Sequence, residues 1–185
     1  MNKFLLFIGG VLLCTSLSAQ SIFKGLETGM SQKEAKAEFR ANRDDYINIE
    51  IGNGFAYRIY QQNFQYVNDG LVAMLLTPKG SALGQGYDEA ASYLDFSDAF
   101  FQKLNYEEFF RPEYWNAPQS FSSKYGLLLS NPDKTIMVQM YPTKYKSGRT
   151  TSYLVKLHLY NYDQFMEWYD KEHEAQEEIA EKSGF

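Results

Sequence analysis

Cysteine occurs once in the 185-residue chain, as Cys14, and histidine twice, as His158 and His173. This scarcity excludes whole chemistries. Cys14 falls inside an N-terminal leader, so the rest of the chain has no thiol for a disulfide, a nucleophile or a metal-thiolate site. The two histidines lack the short spacings of a zinc site. No Gly-x-Ser-x-Gly elbow marks a serine nucleophile, and the glycines between Gly80 and Gly86 lack the lysine and preceding parallel strand of a phosphate-binding loop. The carboxylate pairs Asp44-Asp45 and Glu107-Glu108 are sequence neighbours whose side chains diverge, which makes them poor acid and base partners. Positive charge is in deficit as well. With 18 Lys and Arg against 23 Asp and Glu, the net charge is −5, an electrostatic argument against a nucleic-acid partner. These absences lead us to expect a protein that is not an enzyme and carries neither cofactor nor metal.

The first residues have the grammar of a secretory signal peptide. Lys3 supplies a positive start, Phe4 to Leu13 an apolar run, and Thr15 to Ala19 a small-residue stretch. The run is about ten residues, half of the roughly 20 needed to span a bilayer. We expect residues 1–19 to be removed by cleavage after Ala19, leaving Gln20 as the mature N-terminus and the protein periplasmic or secreted. No integral membrane span then remains in the mature chain. Leu13, directly before Cys14, is not the small residue of a lipidation signal, so Cys14 reads as part of the discarded core. Without disulfides, stability must come from burial, and 15 Tyr with 14 Phe supply the material.

Residues 20–185 read as a single α+β domain made of two repeats, about 20–80 and 81–185. The stretch Leu26-Glu27-Thr28-Gly29-Met30-Ser31 leads into a helix with Ser31 as N-cap and Glu34 completing a capping box. Ala35 and Phe39 form its apolar face, and Lys33, Lys36, Arg40 and Arg43 a basic one. From Tyr46 the hydrophobic period becomes two. One hairpin turns at Gly52-Asn53-Gly54 and a second at Asn68-Asp69-Gly70, giving about four strands that end at Pro78.

An echo, Leu83-Gly84-Gln85-Gly86-Tyr87-Asp88, opens the second repeat, and Asp88 is expected to cap a helix carrying Ala90, Leu94, Phe101 and Leu104. Trp115, between Pro112 and Pro118, is expected to pack on the core. Strands follow at residues 125–130, 135–141 and 152–160, with a tight turn at Asn131-Pro132-Asp133-Lys134. The chain closes with a helix capped by Asn161 or Asp163 and docked through Phe165, Met166, Trp168 and Tyr169, whose polar end from Asp170 to Lys182 is expected to fray. The fold class expected is thus two helix-plus-antiparallel-meander repeats sharing one sheet, helices on one face, and an extra C-terminal helix.

If the apolar strand faces pack on the helices, alternation places Arg58, Tyr60, Gln139, Tyr141, Lys156, His158 and Tyr160 together on the opposite face. Tyr and Arg are enriched at protein interfaces. The leading expectation is therefore an exported, non-catalytic protein binding another protein or a cell-envelope component through this aromatic and basic face. A small-ligand carrier, with an aromatic pocket between helices and sheet beneath the Trp115 loop, is the alternative.

The Gly29-Met30-Ser31 helix start followed by a meander, returning in altered form from Gly86, resembles a superfamily of small exported bacterial proteins. It includes the small lipoprotein of the outer-membrane assembly machinery and the tandem-repeat inhibitors of β-lactamases. The resemblance implies helix-plus-sheet repeats whose joined sheets form a surface that grips a partner protein. It carries over no partner and no functional residue, since the inhibitors' disulfides have no counterpart in a chain with one cysteine.

Overall fold

The structure is a computed structural model and describes residues 21–80, 86–115, 117–118, 121 and 125–183. The expected leader, residues 1–19 with Cys14 among them, and residues 81–85 of the echo lie outside the described residues. A small antiparallel pair, β1 (Ser21–Phe23) and β2 (Leu26–Glu27), precedes α1 (Gln32–Ala41) and α2 (Arg43–Ile47). Then come β3 (Ile49–Gly52), β4 (Phe55–Val67) and β5 (Gly70–Pro78), α3 (Tyr87–Lys103), β6 (Glu107–Phe110), β7 (Leu127–Ser130), β8 (Ile136–Ser147), β9 (Thr150–Asn161) and α4 (Tyr162–Ser183). Seven strands form one sheet in the order β3-β4-β5-β9-β8-β7-β6, with every neighbouring pair antiparallel. The fold is α+β, as expected, and the two halves of the chain join where β5 pairs with β9.

Local chemistry explains the element boundaries. Ser31 caps α1, its hydroxyl accepting from the Glu34 amide at 3.3 Å while the Glu34 carboxylate accepts from the Ser31 amide at 2.9 Å. Both hairpins turn through left-handed backbone at Asn53 and at Asn68-Asp69, the geometry that matches strand twist. The Asn131 side chain closes the turn before β8 by accepting from the amides of Thr135 at 2.8 Å and Ile136 at 2.9 Å. At the start of α4 the Asn161 side chain accepts from the Gln164 amide at 3.0 Å.

Other expectations are corrected. The N-cap of α3 is Gly86, with no side-chain cap bond, and Asp88 sits in the first turn, where its charge suits the helix dipole. Tyr46 and Ile47 belong to the short helix α2, not to a strand. The first half has three sheet strands, not four, because β4 runs from one hairpin into the next. A register irregularity between Ile59 and Phe64 absorbs the extra residues. Glu107 and Glu108 lie on β6, an edge strand exposed along its whole length. Residues 143–151, which fall between the expected strands, extend the β8–β9 hairpin, which turns at Gly148. The polar end of α4 stays helical to Ser183, with Lys171–Glu167 and Lys182–Glu178 pairs at i, i+4 spacing.

The main core lies between the sheet and α1, α2 and α3. Leu157, Leu159, Val138, Met140 and Leu76 contribute from the central strands, and each such side chain is worth about 1.5–3 kcal/mol of burial. Tyr57 is buried among them, its hydroxyl 3.2 Å from that of Ser97, which in turn donates to the Tyr93 carbonyl at 2.5 Å. The Tyr57 and Ser97 hydroxyls are thereby matched. The opposite, outer face carries a second cluster of Val72, Ala73, Leu128, Met137, Tyr160 and Phe165, and there α4 docks.

Candidate functional site

Strand register fixes which side chains share the outer face. Across β8 and β9, Tyr141 pairs with Lys156, Gln139 with His158, and Met137 with Tyr160. β5 places Leu75 beside His158 and Ala73 beside Tyr160. Arg58 pairs with Thr77 on the far side of β5, and its guanidinium lies 5.0 Å from the centre of the Tyr60 ring. Five of the seven expected residues are therefore immediate neighbours. Arg58 and Tyr60 stand apart from them across β5.

α4 divides this face. Its residues Phe165, Met166 and Tyr169 pack on Tyr160, Met137 and Leu128, so the Tyr160 end is covered. Arg58, Tyr60, Tyr141 and Lys156, all half-buried, lie outside that cluster. Beyond them the β8–β9 hairpin outruns its neighbours. β7 flanks β8 only along residues 137–140 and β5 flanks β9 only along 157–160, so from Thr143 to Leu154 the two strands pair only with each other. This arm carries Lys144, Lys146 and Arg149, all exposed, with Tyr145 46% exposed.

At the boundary between α4 and the sheet lies a cleft of about 220 Å³. Gln139, Tyr160 and Tyr125 line it from the sheet side, and Phe165, Trp168, Tyr169 and Glu172 from α4. The α4 positions follow the i, i+3, i+4, i+7 spacing of a single helix face. Beneath them runs a directed hydrogen-bond chain. The Gln139 amide nitrogen donates to the Tyr125 carbonyl at 2.9 Å, which leaves its oxygen to accept from the Tyr160 hydroxyl at 3.2 Å. The same hydroxyl lies 2.8 Å from Nδ1 of His158, a hydrogen bond whose donor depends on the imidazole tautomer. Burial, and then the nearby Lys156 charge, lower the His158 pKa to about 4, so the ring is neutral at physiological pH. Burial pushes the Tyr160 hydroxyl well above its ordinary value.

His173, expected on a solvated helix, is tied into the same aromatic layer. Its ring centre lies 4.0 Å from that of Tyr169 and 5.8 Å from that of Tyr125. Trp115 packs against the main core with the Arg111 guanidinium 5.7 Å from its ring, as expected of a packed aromatic. The aromatic cleft thus sits on the other face of the sheet from Trp115. Tyr125, Trp168, Tyr169 and Glu172 were missed as site residues. The helical spacing of Phe165, Trp168, Tyr169 and Glu172 was the available signal, but the sequence did not say onto which face that stripe would fold.

Among the described residues no group of three or more His, Cys, Asp or Glu side chains is arranged to hold a metal ion. None of the described helices is long and apolar enough to cross a membrane. No protein-family model, curated protein or solved structure matches the chain.

Proposed function

We propose that the protein is an exported, non-catalytic binding protein. It engages another protein or a cell-envelope component through the uncovered part of its outer sheet face and the hairpin arm that continues it. The observation that carries this reading is charge segregation. From Lys134 to Tyr162 the chain has five basic residues and no acidic one, in a molecule of net charge −5. An arm of five residues beyond Pro142 extends about 17 Å at strand rise, further than the Debye length of about 8 Å in physiological salt. Its tip is therefore screened from the acidic body, and its electrostatics are its own.

Three further points favour binding over catalysis. Tyr and Arg on this face are residue types enriched in interface hot spots, and the lysines add charge. His158 is neutral and its Nδ1 is committed to Tyr160. The tandem helix-plus-sheet layout resembles one whose members grip partner proteins. The N-terminal signal pattern supports export.

The test is affinity capture from an envelope fraction with wild type and a Tyr60→Ala/Tyr141→Ala/Lys156→Ala variant. Tyr160 is kept intact because α4 packs on it. The expected result is loss of the captured partner at unchanged circular dichroism. Identical partner sets for both proteins would refute the reading.

A further inference from the structure

Arg58 is a cation without a counter-charge. The residue is half-buried, its Nε is shielded from solvent and has no hydrogen-bond partner, and no carboxylate among the described residues forms an ion pair with it. The Tyr60 ring beside it supplies a quadrupole and not a charge. A partly desolvated charge left unpaired is costly, and an anion bound there removes that cost.

The neighbours of Arg58 on the outer face have the same sign. Arg58 pairs with Thr77 on β5, and Lys156 on β9 follows directly on the last pair of those two strands, Leu76 with Leu157. Lys79 donates its amide to the Ala56 carbonyl at 2.7 Å, which sets it beside Ala56, and its Nζ binds the neutral Asn48 side chain. Glu50 stands opposite Ala56 on β3, yet it forms no ion pair with any of the three cations. Positive charge therefore collects here without being neutralised.

Arg58 and Lys156 stand two strands apart, about 10 Å at strand spacing, so a group that engages both must carry several acceptor oxygens. A phosphate does, whereas the two oxygens of a carboxylate are taken up by the arginine fork alone. These cations sit on uncovered sheet, where a free solute would be held from one side only. A headgroup presented by a lipid surface is already anchored. The arm that continues the face, with Lys144, Lys146, Arg149 and the exposed Tyr145, suits the same surface, since basic residues and tyrosine both favour the headgroup layer of an anionic membrane. We propose that Arg58, Thr77 and Lys156 dock the protein on a lipid surface by taking a phosphate headgroup. This rests on the reading of the face as a binding surface and adds the chemistry that it takes.

Co-sedimentation of the protein, purified after export, with phosphatidylcholine vesicles carrying either phosphatidic acid or oleate at matched surface charge tests the proposal. Wild type is expected to bind the phosphatidic acid vesicles severalfold tighter, and glycerol phosphate to compete. Arg58→Lys keeps the charge and loses the fork, so it is expected to lose that preference while binding oleate vesicles as before. Arg58→Met is expected to lose phosphatidic acid binding at an unchanged urea midpoint, because no ion pair is removed. Lys144→Ala/Lys146→Ala is expected to weaken both kinds of vesicle binding alike. Equal binding to the two vesicles, an undiminished preference in Arg58→Lys, or saturable glycerol phosphate binding without vesicle binding overturns the proposal. Failure here is separable from failure of the partner reading. A partner captured by wild type and lost from Tyr60→Ala/Tyr141→Ala/Lys156→Ala, with no preference for phosphatidic acid, refutes the phosphate chemistry and leaves the binding face standing.

Discussion

His158 shows how one side chain's surroundings set a measurable property of the whole protein. Its pKa is lowered to about 4 from an ordinary 6.5, first by burial and then by Lys156. Below pH 6.5 the unfolded chain binds a proton at this residue that the folded chain does not, so stability must fall as pH drops from 6.5 to 4. The loss attributable to this group is about 2–3 kcal/mol, from a conversion of roughly 1.4 kcal/mol per pKa unit. Carboxylates titrate in the same window, so the informative quantity is a difference. Urea unfolding at both pH values should show His158→Gln losing less stability than wild type by about that amount. Equal losses would mean that the imidazole is solvated in the folded state.

At the scale of elements, the approach of β7 to β8 depends on a missing side chain. Gly126, just before β7, has φ +64°, and a Cβ there would lie 1.9 Å from the Met140 carbonyl oxygen. Gly148, at the arm's turn, has φ +60° but open space around it. The two glycines separate backbone strain from collision. Gly148→Ala should cost about 1 kcal/mol, the left-handed penalty alone, and Gly126→Ala at least twice that, because β7 must also move away from β8. Urea midpoints with unchanged slopes would report the difference, and equal costs would show that β7 gives way freely.

The same scale explains what could be read from the sequence. Elements announced by local chemistry were legible: the Ser31–Glu34 box, the Asn-containing turns, and the alternation that set Val138, Met140, Leu157 and Leu159 on one face. β6 was not legible, because an edge strand exposed throughout shows no alternation between buried and exposed residues. Nor was the continuity of β4, since the break in period at residues 60–63 looks the same whether the strand ends or bulges. The candidate face was legible because parity along a strand is local. Its division by α4 was not, because the helix's destination is a tertiary choice.

At the scale of the whole molecule, the two halves share more than a seam. α3, from the second half, packs on strands of the first: Phe55 stacks on Phe96 at 5.0 Å, Tyr57 meets Tyr93 edge-on at 5.3 Å, and the Tyr57 hydroxyl reaches Ser97. The first half ends at β5, whose Leu71, Met74 and Leu76 are buried, and the second half supplies β9 to pair with it. Separating the halves would open the paired edges of β5 and β9 along 73–76 and 157–160 and strip α3 from β3 and β4. We therefore propose that the two expected repeats are a pattern of elements and not independent folding units. Fragments 20–80 and 81–185, expressed separately, should each lack a sigmoidal urea transition, and equimolar mixing should restore the circular dichroism and cooperative unfolding of the intact chain. A cooperative transition in the 20–80 fragment alone would show instead that the first repeat folds by itself and that α3 is an accessory layer.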